Sequence, residues 1–115
     1  MRRRDPRASL AEALGAGESI KAWLDGVTLE RYSDDEILRS AVERQFEIVG
    51  EALNRALEDN SSLAESLPEA RRVVGFRNRL AHGYDDISSR VVWTIALENL
   101  PPLLAKIRRV LEELS

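Results

Sequence analysis

The sequence predicts an all-α protein, an antiparallel four-helix bundle, and three observations favour this class. Apolar residues recur every three to four positions along most of the 115 residues, which is the spacing of a buried helix face. The alternation typical of strands is not sustained, and aromatic residues make up only 5% of the chain. Hydrophobic residues make up 43% and charged residues 32%, the balance of a folded globular chain. The length favours a single domain over residues 1–115, with residues 1–5 as a flexible basic tail.

The first predicted helix begins at a capping signal. Asp5 can cap a helix in which Pro6 takes the first position, where its missing N–H costs nothing. An apolar stripe then continues to Leu24, and Gly26 is the expected stop.

The second predicted helix begins at a capping box formed by Ser33 and Glu36 and continues to Ala56. Its expected seam comprises Leu38, Ala41 or Val42, Gln45, Val49, Ala52 or Leu53, and Ala56. Gly50 lies inside this helix at a cost of about 1 kcal/mol against alanine. A neighbouring helix that approaches closely at Gly50 would account for it.

Two more long helices are expected in the second half of the chain. The intervening polar stretch can hold a short extra helix at 62–66. The third helix starts near Pro68, turns Val73, Phe76 and Leu80 inward, and ends about Gly83. The fourth starts at 88–89 and continues to the C-terminus, and a proline pair at 101–102 predicts a kink. Its apolar stripe is wide for so small a bundle, which favours a homodimer.

The composition argues against several classes of function. The chain has no cysteine and one histidine, His82, so we expect neither a metal site nor a cofactor. Neither a phosphate-binding glycine-rich loop nor a nucleophile elbow is present. The longest apolar runs are far shorter than the roughly 20 residues that span a bilayer. We therefore expect a cytoplasmic protein without membrane contact.

Charge is unevenly distributed along the chain. The net charge is −3, which does not favour a general nucleic-acid binder, yet four arginines and a single acid, Glu69, lie between positions 69 and 82. Such a run can be a patch that holds a few phosphates or a solvated helix face. Composition alone leaves both interpretations open.

The stretch GFRNRLAHGY, residues 75–84, combines groups that suit phosphate chemistry. The guanidinium of Arg77 matches phosphate oxygens, and His82 can transfer a proton near neutral pH. Together they suffice for RNA cleavage without a metal. The alternative is a helix end where His82 acts as a cap and Arg77 pairs with an acid of the second helix, at position 43, 47 or 51. Five positions separate Arg77 from His82, about 140° around a helix, so they converge only at the helix end or across a dimer.

Three segments resemble the HepT-like ribonuclease toxins of the HEPN superfamily. RNRLAH followed by GY matches the family signature, an arginine, four residues, a histidine and a tyrosine two positions later. AVERQFEIVGEALNR (41–55), VVGFRNRLAHGYDDIS (73–88) and VVWTIALENLPPLLAKI (91–107) resemble the second, third and last helices of the family in the right order. Ala70 and Pro102 depart from the usual pattern, outside the signature.

The resemblance implies a helical homodimer that cleaves RNA without a metal, with the sites of both chains facing one cleft. Arg77 and His82 would be the catalytic pair, and Asn78 and Arg79 would support or bind the substrate. Tyr84 would accept AMP from a minimal nucleotidyltransferase antitoxin, and the bulky anion would block the cleft. Two alternatives remain: a non-catalytic nucleotide-binding module that serves a nucleotidyltransferase as its substrate-binding subunit, and a plain helical scaffold.

Overall fold

Helices account for nearly all of the structure, a computed structural model that describes residues 5–81 and 88–114. No residue in these ranges lies in a strand, which confirms the predicted all-α class. None of the helices there is both long enough and apolar enough to cross a membrane. The seven described helices are α1 (Arg7–Leu24), α2 (Leu29–Asp34), α3 (Glu36–Asp59), α4 (Leu63–Ser66), α5 (Ala70–Ala81), α6 (Ser89–Glu98) and α7 (Leu100–Leu114).

The ends of α1 lie close to their predicted positions. Asp5 lies two residues before the helix, and its carboxylate accepts a hydrogen bond from the backbone N–H of Arg7 at 3.0 Å, whereas the N-cap position is taken by Pro6. Pro6 is the residue before the helix, so α1 begins one position later than predicted. The helix ends at Leu24, and Gly26 follows with a φ of 72°, a conformation that favours glycine.

The predicted capping box of Ser33 and Glu36 is wrong. Residues 29–34 form α2, capped by Thr28, so Ser33 lies inside a helix. Asp35 caps α3 instead, because its carboxylate accepts the N–H of Leu38 at 2.9 Å. Tyr32 explains the extra helix: it is fully buried, and its burial holds α2 against the core.

The core forms around α3, which packs against α1 on one side and α5 on the other. Phe46 of α3 meets Phe76 of α5 edge to face, with ring centroids 5.3 Å apart. The predicted seam placed Gln45 inward, whereas the fully buried residue of that turn is Phe46.

Two contacts show that α7 is antiparallel to α1: Arg7 donates to the carbonyl of Leu114 at 3.3 Å, and the middle of α1 meets the middle of α7.

The predicted kink in the last helix is a break between α6 and α7 at Asn99. Pro101 and Pro102 lie in the first turn of α7, where backbone N–H groups make no intrahelical hydrogen bonds, so the prolines cost none. The short extra helix was also predicted correctly, as α4.

A hydrogen-bonded ion pair fixes the start of α5 against α7. Lys106 donates to Glu69 at 2.6 Å, just before α5 begins. This hydrogen bond lowers the pKa of Glu69 below its usual range. The start of the helix that carries the arginine run is thus tied to α7.

Gly50 marks the closest approach of α3 and α5. A Cβ built on Gly50 would overlap the Cβ of Arg77 and lie 2.6 Å from its Cγ. Because the Cβ of Arg77 is fixed to the backbone, α5 itself would have to move to make room. The expectation that a neighbouring helix approaches closely at Gly50 is confirmed.

We predict that Gly50→Ala lowers the free energy of unfolding by about 1–2 kcal/mol, because overpacking outweighs the better helix propensity of alanine. Gly15→Ala is the matched control, since a Cβ there meets nothing within 4 Å. It should raise the free energy of unfolding by about 0.5–1 kcal/mol. Urea denaturation measures both, and equal stabilisation by the two substitutions would contradict the close approach.

Candidate functional site

Arg77 lies at the edge of the core, on the face of α5 that meets α3. The residue before it, Phe76, is only 4% exposed, and the Arg77 side chain is 31% exposed. Its aliphatic part packs over Gly50, as the distances from a Cβ built there show. The guanidinium is therefore carried by a well-packed stem, in the way long basic side chains cover apolar surface.

The guanidinium of Arg77 has few partners. One terminal nitrogen donates to the side-chain oxygen of Asn78 at 3.0 Å, and the other lies 3.9 Å from a carboxylate oxygen of Glu51. The Nε atom is buried and has no hydrogen-bond partner within residues 5–81 and 88–114. Each terminal nitrogen carries two N–H groups, so N–H donors remain on both after these contacts with described residues.

Three successive ion pairs connect Glu12 of α1 to Arg77 of α5. Glu12 of α1 pairs with Arg55 at 2.6 Å, Arg55 pairs with Glu51 at 3.2 Å, and Glu51 faces Arg77. Of the three acids proposed as structural partners of Arg77, the structure places Glu51 beside it. Glu51 is 55% exposed, so this pair should contribute only about 0–1 kcal/mol to stability.

The structure brings Asn78 to Arg77 but does not bring Arg79 to the same side. Asn78 is exposed and accepts the hydrogen bond from Arg77. Arg79 is exposed as well, and its position places it about 160° from Arg77 around the axis of α5. Its predicted role toward the substrate stays a prediction.

His82, Gly83 and Tyr84 lie outside the described residues. The predicted pairing of Arg77 with His82, the helix end at Gly83 and the modification of Tyr84 stay predictions. Within the described residues, no three carboxylate or imidazole side chains come together in a way that could hold a metal ion.

A shallow groove continues from Asn78 along the contact between α3 and α5. Its volume is about 430 Å³. The residues that line it are Asn54, Leu57, Glu58, Arg71, Val74, Gly75 and Asn78. It adjoins the Arg77 site, because Asn78 contributes to both.

The model of the family described as "HepT-like: Ribonuclease HepT-like" matches residues 13–110, a range that includes the whole arginine–histidine–tyrosine signature. The chain belongs to the HepT-like ribonuclease family. Membership agrees with the all-α architecture and confirms the resemblance seen in the three sequence segments.

Relatives of similar length carry ribonuclease names. A candidate RNase of Caldanaerobacter subterraneus subsp. tengcongensis is 26% identical over 94% of this chain and 96% of its own. A candidate RNase of Methanocaldococcus jannaschii is 29% identical over 96% of this chain and 100% of its own. A candidate ribonuclease HepT of Thermococcus cleftensis is 29% identical over 93% of this chain and 94% of its own. No solved structure matches the chain.

Apart from Asn78, and Arg71 of the arginine run, the residues that line the groove of this HepT-like chain are not indicated as site residues by the sequence. Asn54 and Glu58 are four positions apart, and Arg71 and Asn78 are seven apart, so each pair shares a helix face. That spacing is a visible signal, but only the packing of α3 on α5 shows that the two pairs line one groove.

We predict that Arg77→Ala lowers the free energy of unfolding by about 1 kcal/mol or less, because its ion pair is exposed and its Cβ against Gly50 is retained. Urea denaturation with a circular dichroism readout measures this. A loss of several kcal/mol would mean that Arg77 is chiefly a structural residue, as the scaffold alternative requires.

Proposed function

We propose that this protein is a metal-independent endoribonuclease in which Arg77 and His82 act on the same phosphodiester. The observation that carries the proposal is the placement of Arg77: a rigid stem over Gly50 and a guanidinium with donors to spare. The family match and the ribonuclease names of the relatives support it.

Arg77 would bind the phosphate. The planar guanidinium can donate two parallel hydrogen bonds to two phosphate oxygens. Its hydrogen bond to Asn78 orients the guanidinium and leaves other N–H groups for the phosphate. As negative charge builds on the oxygens around phosphorus in the transition state, the guanidinium stabilises that charge. The half-buried position of Arg77 strengthens this effect, because screening by water is weaker there.

His82 would move protons in this reaction. The 2′-oxygen attacks phosphorus and loses its proton, the bond from phosphorus to the 5′-oxygen breaks, and the leaving oxygen gains a proton. His82 would either accept the proton of the 2′-hydroxyl or donate a proton to the leaving 5′-oxygen. The products are a 2′,3′-cyclic phosphate and a 5′-hydroxyl, and DNA is not a substrate because it lacks the 2′-hydroxyl.

The proposal includes a homodimer in which the two sites share one cleft. Val91 and Leu97 of α6 and Leu114 of α7 are large apolar residues that this single chain leaves exposed. A second copy that covers some of these side chains would account for the wide stripe of the last two helices.

We further propose that the protein is the toxin of a toxin–antitoxin pair and that a minimal nucleotidyltransferase neutralises it by attaching AMP to Tyr84. The sequence supports this through the position of Tyr84, two residues after His82. An anionic AMP group there would repel the RNA backbone and occupy space beside the phosphate site.

We predict that the purified protein cleaves single-stranded RNA in the presence of EDTA and leaves the matching DNA intact. His82→Ala should slow cleavage roughly 10²–10⁴-fold, and Arg77→Ala should slow it by about 10²–10³-fold. Gel analysis of a labelled oligonucleotide measures the rates, and mass spectrometry identifies the cyclic phosphate.

Arg109→Ala is the matched control for this experiment, because it removes an exposed arginine of α7 rather than α5. Full cleavage by His82→Ala would refute the proposal. Micromolar nucleotide binding with no cleavage by the wild type would favour the alternative, a nucleotide-binding subunit of a nucleotidyltransferase.

We predict that co-expression with a cognate minimal nucleotidyltransferase adds AMP to Tyr84 and abolishes cleavage. Intact-protein mass spectrometry detects the added group, and Tyr84→Phe should remain unmodified and active. Neutralisation of the wild type without any mass change would show that the antitoxin acts by binding alone.

A further inference from the structure

Gly75 of α5 is one of the seven residues that line the groove between α3 and α5. A Cβ built on Gly75 meets nothing within 4 Å, and the residue does not adopt a positive φ. Glycine in a helix costs about 1 kcal/mol against alanine, and here neither close packing nor backbone conformation requires it. A larger side chain at position 75 would extend into the open space beside α5, where the groove lies.

The floor and walls of the α3–α5 groove differ in chemistry. Leu57 and Val74 are half-buried and form an apolar floor against which a flat ring can pack. On the α3 wall, the Asn54 amide donates to the Glu58 carboxylate at 3.0 Å, and both side chains are exposed. An amide donor and a carboxylate acceptor therefore lie side by side above an apolar surface.

The two ends of the groove suit a nucleic-acid backbone. Arg71 is an exposed cation at one end. Asn78, seven positions later and about 10 Å further along α5, lies at the other end in contact with Arg77. The groove volume of about 430 Å³ lies within the usual range of small-ligand pockets, roughly 300–1,000 Å³.

We infer that the α3–α5 groove is a base-recognition subsite that holds a guanine nucleotide of the RNA beside the cleaved phosphodiester. The inference rests on the proposed ribonuclease function and specifies the substrate of the same site. Arg71 would bind a flanking phosphate, and the base would lie over Leu57 and Val74.

Guanine fits the α3 wall better than the other bases. Its Watson–Crick edge presents one acceptor, O6, followed by two donors, N1–H and N2–H. The Glu58 carboxylate can accept both donors, and the second N–H of the Asn54 amide can donate to O6. Adenine, cytosine and uracil each leave part of this donor–acceptor set unpaired, because none offers two neighbouring N–H groups followed by an acceptor on that edge.

The charge on α5 favours RNA over a peptide as the occupant. Arginines 71, 72, 77 and 79 lie on this helix, and the nearest acid before it, Glu69, is paired with Lys106. A polyanion gains from this concentration of positive charge, although the whole chain is acidic.

The test uses single-stranded oligoribonucleotides that differ at one position, carrying guanosine, inosine, adenosine, cytidine or uridine. Inosine lacks only the N2 amino group, so it isolates one donor. Cleavage next to guanosine should exceed cleavage next to inosine by on the order of tenfold. Glu58→Gln should bring this ratio close to one, whereas Glu98→Gln, an exposed acid of α6, should keep it.

Gly75→Leu tests the groove by filling it. The substitution should raise KM at least several-fold and remove the base preference while the circular dichroism spectrum stays helical. Gly15→Leu is the matched control, because among the described residues Gly15 is the other α-helical glycine with open space around it, and it lies on α1. It should leave KM and base preference unchanged.

A binding measurement separates failure of the subsite from failure of the proposed function. Guanosine and inosine 5′-monophosphates are titrated into the protein, and the side-chain amide signals of Asn54 and Asn78 are followed by NMR. Tighter binding of the guanosine nucleotide, lost in Glu58→Gln, supports the subsite even if no RNA is cleaved. Equal binding of both nucleotides, or a base preference that survives Glu58→Gln and Gly75→Leu, would overturn it.

Discussion

The close contact of α3 with α5 at Gly50 is the constraint on which the rest of the structure depends. Without a side chain at Gly50, the two helices approach until the stem of Arg77 lies on the α3 backbone. The same approach brings Phe46 against Phe76 in the core. It also places Glu51 beside the guanidinium. One missing side chain thus sets the core, the ion pair and the groove together.

The protein is acidic overall, yet its candidate site is basic, because positive charge is concentrated on one short helix. Glu69, the acid just before α5, is engaged by Lys106 of α7, which keeps it from opposing the arginines. Glu51 is shared between Arg55 at 3.2 Å and Arg77 at 3.9 Å, so it neutralises the charge of Arg77 only in part. Local placement, and not net charge, decides which ligands such a surface attracts.

The fold and the candidate site use different residues of α5. Val73 and Phe76 are buried, while Arg71, Gly75 and Asn78 face the groove and are exposed. A substitution on the groove face can therefore change ligand binding at little cost in stability.

The sequence by itself determined the all-α class, the long helices and the arginine–histidine–tyrosine signature, because helix periodicity and motif spacing are local properties. Tertiary structure decided which residue caps α3, which acid lies beside Arg77 and where the groove forms. The cap of α3 is Asp35 and not Ser33, since burial of Tyr32 adds α2 before it. The partner of Arg77 and the groove beside it depend on how α3 and α5 align. That alignment follows from packing between residues distant in sequence, which no local pattern encodes.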